Sequence, residues 1–424
     1  MTTLHDVHDL ALSGATASAV DHYEQACRAM QCYVGDPVAA VQAALAEAPD
    51  MTMAHALYAW LNLLGTEPAG LPEARRALAT AKALPATERE RAHLAAIALV
   101  IDGRWHAAGL ALEDLSVRWP RDLVALQAGH AIDFFCGHSR MLRDRMARVY
   151  DAWQPGMPGF HALLGMYAFG LEEMGDYARA EAMGRRAVEL ERQDNWAWHA
   201  VAHVMEMQNR RRDGIDWLRR DTAAWTDGSY FAVHNWWHLA LFHMGLDQMD
   251  EVFALLDQRV LAGQSSVAID MIDASALLWR LQLRGHDVGS RWHALADRWA
   301  AHAEAGNYAF NDFHAMMAFC GAGREAEAER LLATQARALH AGDDNAMFLR
   351  EVGLDGTAAV RAFSQGRFGD AVRLLRPLRS QSHRFGGSHA QRDLIDLTLI
   401  EAAARDGQKL FADALRRERA NRMA

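Results

Sequence analysis

Residues 103–120 read GRWHAAGLALEDLSVRWP, and the pattern of this stretch recurs further along the chain. A glycine is followed by an aromatic residue two positions later, by small or apolar residues five and twelve positions later, and finally by a proline. The arrangement begins again at Gly175 and Gly366, and in part at Gly323. Glycine permits a tight turn between two helices, alanine lets helices approach closely, and proline stops the second helix. The stretch therefore predicts a repeated helical hairpin.

The recurrence predicts an all-α fold, namely a tetratricopeptide-like α-solenoid in which roughly ten antiparallel helix pairs form a superhelix. Alanine and leucine dominate the composition and β-branched residues are sparse, which favours helix over strand. We expect one domain over residues 1–424, with irregular capping units at about 1–50 and 385–424.

Charge and cysteine usage restrict the partners and the compartment. The formal net charge of −10, with basic residues scattered among acids, argues against nucleic acid as a partner. The longest apolar runs, such as residues 94–101, are too short to span a membrane, and residues 1–10 lack the features of a secretory signal. Four cysteines without metal-type or disulfide spacing favour a reducing, cytoplasmic compartment. We expect a small-molecule ligand or substrate as the partner, and the sequence leaves homo-oligomerisation open.

Histidines are distributed unevenly over the predicted hairpins. Many fall in the helix that precedes the glycine turn, which in tetratricopeptide arrays lines the concave wall. Imidazoles concentrated there suggest a polar pocket, although hydrogen bonds across helix seams would also explain several of them. These histidines are His55, His93, His130, His161, His199, His203, His234, His238, His243, His314 and His389.

The densest segment presents two imidazoles and a carboxylate on one helix face. At 100° per residue, Trp196, His199, His203 and Glu206 share a narrow arc. Such a face is suited to proton transfer or to metal binding.

The next helix of the same kind carries a second histidine pair. His234 and His238 are one turn apart, and Trp237 shares their face. Trp196 and Trp237 are therefore candidates for gripping an apolar or aromatic ligand.

Two histidine pairs on neighbouring helices would lie within reach of one ion. Possible metal ligands are His199, His203, His234 and His238, and three imidazoles with Glu206 would suit zinc or another divalent transition metal. The HExxH glutamate of many zinc enzymes is missing. A metal-free cluster acting as acid, base or hydrogen-bond donor, and a purely structural network, remain as alternatives.

Two further helices carry polar pairs at a spacing of three residues. His130 and Asp133 share a face, so that the carboxylate would orient the ring. Asn311 and His314 form a similar pair and are ligand-binding candidates. The alternative for that segment is that Asn311 or Asp312 caps the helix while Met316 and Met317 fill the core.

The segment of residues 386–393 combines a helix start with polar candidates. Ser388 and Gln391 form a capping box. His389 and Asp393 are one turn apart and free to pair, while Arg392 would meet an anionic group of a ligand.

Several of these runs together resemble the tetratricopeptide repeat protein 38 family. The resemblance is carried by residues 199–206, 234–238, 311–317 and 386–393, and residues 13–15, 35–37 and 54–55 are similar too. It covers essentially the whole chain and implies a tetratricopeptide-like α-solenoid. It implies no particular reaction or site residue.

The residues favour a protein that binds a small molecule and plausibly catalyses a reaction on it. The expected catalytic centre is His199, His203, Glu206, His234 and His238, with hydrolysis of an amide or ester by imidazole or metal-activated water. The expected ligand contacts are Trp196, Trp237, His130, Asp133, Asn311, His314, His389 and Arg392. The alternative is a non-enzymatic scaffold that holds a peptide or protein partner in its groove.

Overall fold

Helices make up most of residues 4–422, the part of the chain that the computed structural model describes. The all-α prediction is confirmed. Strand β1 (Leu4–His5) pairs antiparallel with β2 (Ala11–Leu12), with Leu4 opposite Leu12. Residues 1–3 and 423–424 of the predicted capping units lie outside the described residues.

The first of two compact units comprises Met1–Phe134, His138–Val204 and Leu218–Asn235. Four helices belong to it only in part, because unit boundaries fall inside them, namely Leu123–Phe135, Asn195–Met207, Arg211–Arg220 and Ala232–Gly245. The helices up to this point are α1 (Ala17–Cys32), α2 (Pro37–Glu47), α3 (Thr52–Leu63), α4 (Gly70–Lys82), α5 (Glu88–Ile101), α6 (Trp105–Arg118), α7 (Leu123–Phe135), α8 (Ser139–Val149), α9 (Phe160–Glu173), α10 (Tyr177–Leu190), α11 (Asn195–Met207), α12 (Arg211–Arg220), α13 (Thr222–Thr226) and α14 (Ala232–Gly245).

The second unit comprises Phe135–Gly137, Met205–Trp217 and Trp236–Ala424. Short π-helical segments at Leu256–Val260 and Leu349–Gly353 continue two of its α-helices. Its remaining helices are α15 (Met249–Leu255), α16 (Ala268–Leu283), α17 (Arg291–Trp299), α18 (Ala309–Gly321), α19 (Glu325–Ala338), α20 (Asp344–Phe348), α21 (Leu354–Ser364), α22 (Phe368–Leu378), α23 (His389–Arg405) and α24 (Lys409–Arg422).

The repeated glycines occupy turns between packed helices, as the sequence predicts. Gly103 has φ 71° and lies between α5 and α6, which pack against each other. The N–H of Arg104 donates to the carbonyl of Leu99 at 2.8 Å, which closes the end of α5. Gly175, with φ 80°, has the same position between α9 and α10. These left-handed conformations suit glycine because it has no Cβ.

Small residues bring the helices of the first unit close together. A Cβ added to Gly184 of α10 would lie 2.6 Å from Cγ2 of Val201 on α11. Helix α9 packs against both α8 and α10, and all of its residues are buried. A polar side chain near the end of α9 is therefore held in an apolar core.

The second unit has its own core around α16 and α18, which pack together. Trp279, Phe313, Met316 and Met317 are buried there. No described helix combines the length and the apolar character needed to cross a membrane.

Candidate metal centre

Hydrogen bonds of two polar side chains hold the start of α11, the helix that carries His199 and His203. The carboxylate of Asp194 accepts a hydrogen bond from the N–H of Ala197 at 2.9 Å, which caps the start of α11. The side-chain amide of Asn195 donates to the carbonyl of Cys32 at 2.9 Å and its oxygen accepts from the hydroxyl of Ser229. These contacts set the rotation of α11 and tie it to the segment that leads into α14.

The histidine pairs of α11 and α14 meet. Nε2 of His199 lies 3.1 Å from Nε2 of His234, and the ring centroids of His199 and His203 are 4.4 Å apart. His238 follows His234 by one turn of α14. One ligand atom from each of these four histidines lies within 4.8 Å of the others, and all four residues are buried. The expectation that the two pairs share a contact is confirmed, and the cluster could hold a metal ion.

A carboxylate that sequence reasoning missed lies beside this cluster. Oε2 of Glu172, on α9, is 3.6 Å from Nδ1 of His203, and both side chains are fully buried. A carboxylate at this position favours the tautomer that carries its proton on Nδ1 and presents Nε2 as the ligand atom. The signal in the sequence is the pair of acids, Glu172 and Glu173, at the end of a mostly apolar helix.

Aromatic rings surround the imidazoles within the first unit. Phe169 stacks on His199, with centroids 5.4 Å apart, and meets His203 edge-on. Trp196 lies 4.7 Å from His199, as its predicted position on the same face suggests. Phe231 lies 5.0 Å from His234. The imidazoles of His199, His203 and His234 thus lie in a largely apolar surrounding.

Trp196 is also part of a larger aromatic stack. Tyr33, the residue after α1, stacks on it with centroids 5.6 Å apart and also packs against Phe231.

Trp237 is buried, lies 4.8 Å from His238 and has the guanidinium of Arg280 over its ring. Both tryptophans that the sequence singles out are thus neighbours of histidines in the cluster.

His130 reaches this aromatic group without the carboxylate expected to orient it. Its ring lies 5.5 Å from that of Trp196, and burial, together with Arg145, lowers its pKa to about 3. Asp133 instead accepts two hydrogen bonds from the guanidinium of Arg145, at 2.7 and 3.1 Å. The expected His130–Asp133 pairing is therefore wrong, because a buried arginine takes both carboxylate oxygens.

Glu206 lies on α11, three residues after His203, and is not among the ligand atoms of the four-histidine group. Burial raises its pKa, while Arg211 and Arg280, as cations, act in the opposite direction. The carboxylate of Glu172 lies against His203.

The residues predicted near the start of α23 have local partners. The capping box of Ser388 and Gln391 is confirmed. His389 is exposed and lies 3.3 Å from the guanidinium of Arg392, which also donates to the carbonyl of Gly387. Asp393 accepts two hydrogen bonds from Arg419, at 2.9 and 2.6 Å. Asp393 thus forms a bidentate ion pair with Arg419 of α24.

The predicted pair on α18 is buried in the second unit. Asn311 and His314 are both buried, and Nδ1 of His314 lies 2.9 Å from the carbonyl oxygen of Phe310. Burial lowers the pKa of His314 to about 4 and raises that of Asp312 to about 7. The helix begins earlier, after Tyr308, so neither Asn311 nor Asp312 caps it, whereas Met316 is core as that alternative held.

A comparison of the chain with models of known protein families finds no match. The chemistry of the four-histidine group and its neighbours is therefore the main guide to function. That group offers buried imidazole nitrogens, an adjacent carboxylate and aromatic walls.

Proposed function

We propose that this protein is a transition-metal-dependent hydrolase of small apolar or aromatic esters or amides, with its metal at the four-histidine group. The observation that carries the proposal is the 3.1 Å separation of the His199 and His234 Nε2 atoms, inside a set of four imidazoles that approach one another within 4.8 Å.

The donor atoms suit a borderline divalent ion. Imidazole nitrogen binds zinc at about 2.0–2.1 Å, which places two ligands of a tetrahedral site about 3.3 Å apart. The His199–His234 pair is already near this separation. Zinc, cobalt and nickel accept nitrogen ligands of this kind, whereas magnesium and calcium prefer oxygen.

Three of the histidines hold the ion in this proposal, and the fourth acts on water. His199, His203 and His234 bind the metal, which leaves a position for a water molecule as catalytic zinc sites do. Glu172 positions His203 through Nδ1, so that Nε2 is the coordinating atom. His238, one turn from His234, accepts a proton from the water.

The surrounding rings favour a substrate with an apolar or aromatic part. Phe169, Trp196 and Phe231 pack on the imidazoles, and Tyr33 extends this surface. Such a lining binds by burying apolar area, while the few polar groups fix the orientation of the reacting bond. A bound metal would polarise the scissile carbonyl and lower the pKa of the attacking water.

We also propose that the helix hairpins continue as a tetratricopeptide-like α-solenoid of about ten pairs, in a cytoplasmic member of the tetratricopeptide repeat protein 38 family. The recurring glycine turns at Gly103, Gly175, Gly323 and Gly366 support the repeat. A scaffold protein would share these turns but has no need of a buried four-imidazole cluster.

The test is hydrolysis of a panel of chromogenic aryl esters and anilides by the zinc-loaded full-length protein. His203→Ala is expected to lose both metal and activity, and His238→Ala to lose activity while it retains the metal. His243→Ala is the control, since His243 lies on α14 like His238 but hydrogen-bonds to Gln248 at 2.7 Å. Loss of metal in His238→Ala would instead indicate a closed four-histidine site and would overturn the hydrolytic part of the proposal.

A further inference from the structure

The ends of three helices bring a thiol, an imidazole and a carboxylate together in the first unit. Cys32 is the last residue of α1, His161 lies in the first turn of α9, and Glu191 follows α10. One ligand atom from each lies within 4.8 Å of the others. We propose that Cys32, His161 and Glu191 form a second divalent-metal site, of the class that zinc occupies.

Each nitrogen and oxygen ligand is already held by an outer partner. Nδ1 of His161 donates to Oδ2 of Asp194 at 2.8 Å, which leaves Nε2 as the ligand atom. Glu191 accepts from the guanidinium of Arg28 at 2.8 Å and from the N–H of Gln193 at 3.1 Å. A carboxylate behind a ligating histidine is the usual arrangement around protein-bound metals.

The local charge favours a cation. Asp194 and Glu191 contribute two carboxylates against the single guanidinium of Arg28.

Cys32 offers a sulfur ligand to this group. Coordination would replace the S–H bond with a sulfur–metal bond and release one proton to solvent. Glu191 is half-buried, which gives an ion a path from solvent.

The three ligand atoms would have to move only slightly closer together to bind one ion. Zinc binds sulfur at about 2.3 Å and nitrogen or oxygen at about 2.0–2.2 Å, so the ligand atoms would draw in to about 3.5 Å from one another. The site needs no contribution from the four-histidine group, so it stands independently of the proposed function.

Cobalt titration of the full-length protein distinguishes the two sites, because only a thiolate ligand gives a near-ultraviolet sulfur-to-cobalt charge-transfer band. We expect the band in the wild-type protein, its loss together with one equivalent of Co²⁺ in Cys32→Ser, and its retention in His203→Ala. Cys27→Ser is the matched control, since Cys27 is another buried cysteine of α1.

Glu191→Gln provides a second variant that spares the buried thiol. It is expected to weaken cobalt binding at the band-forming site by at least tenfold. The affinity of the four-histidine group for Co²⁺ should stay unchanged. A wild-type protein without the band, or a Cys32→Ser protein that binds as much Co²⁺ as the wild type, would overturn the second site. A wild-type protein that shows the band but lacks the Co²⁺ equivalent assigned to the four-histidine group would count only against that group.

Discussion

Oε2 of Glu172 lies 3.6 Å from Nδ1 of His203, and neither side chain has measurable exposure. Because the carboxylate comes from α9 and the imidazole from α11, the pair links two helices at the edge of the four-histidine group. We infer that Glu172 is a positioning residue that fixes the ring and tautomer of a metal ligand.

Replacement of Glu172 by glutamine is expected to weaken zinc or cobalt binding at the four-histidine group by about 10- to 100-fold. The visible absorption of bound cobalt should also change, because the ligand field at His203 changes. Glu173→Gln is the control, since that neighbouring carboxylate accepts from the hydroxyl of Ser139 instead. Equal affinities in both variants would remove the positioning role.

His130→Gln is expected to change how stability depends on pH. Burial lowers the pKa of His130 to about 3, from about 6.5 in the unfolded chain. Below pH 6.5 the unfolded state takes up the proton first, so the free energy of unfolding falls by about 1.4 kcal/mol per pH unit as the pH decreases toward 3. The variant lacks this contribution.

The measurement is urea unfolding of the metal-free wild type and of His130→Gln at intervals between pH 4.5 and 8. The difference in stability between them should be constant above pH 7 and shift in favour of the variant below pH 6. A difference that does not depend on pH would show that the pKa of His130 is the same in the folded and unfolded protein.

Asp312→Asn is expected to have the opposite pH signature. Burial raises the pKa of Asp312 to about 7, from 3.8 in the unfolded chain. As the pH rises from 4 to 7, the unfolded state loses the proton first and stability falls by about 1.4 kcal/mol per unit. The variant should therefore gain on the wild type as the pH rises, in calorimetric or urea measurements. The exposed Asp355→Asn is the control, and a gain of the same size there would refute the assignment.

Two glycine substitutions should separate turn geometry from helix packing. Gly175→Ala is expected to cost about 1 kcal/mol, because φ is 80° while no neighbouring atom obstructs a Cβ. Gly184→Ala has ordinary helical geometry but meets Cγ2 of Val201 at 2.6 Å, so we expect a loss of about 1–3 kcal/mol from overpacking. Urea unfolding of both variants measures these costs, and an unchanged Gly184→Ala protein would contradict the tight α10–α11 contact.

The local features of this structure could be predicted from the sequence. The capping box of Ser388 and Gln391, the turn at Gly103 and the shared face of His199 and His203 all follow from spacing within a few residues. Their geometry depends on helical periodicity and backbone conformation, which short patterns determine.

Partners from distant segments could not be predicted in this way. Glu172 approaches His203 from another helix, and Arg145 takes the carboxylate that the spacing of His130 and Asp133 had suggested for the imidazole. The Cys32, His161 and Glu191 group joins three helix ends that no spacing rule connects. These contacts depend on how helices pack, and packing is decided by many apolar residues together.

The most direct test of the central claim is the transition-metal content of the full-length protein after loading with zinc, in wild type, His203→Ala and His243→Ala, by elemental analysis and native mass spectrometry. The four-histidine site predicts that His203→Ala holds one equivalent less than the other two proteins. Identical zinc content in all three would contradict a metal at His199, His203 and His234.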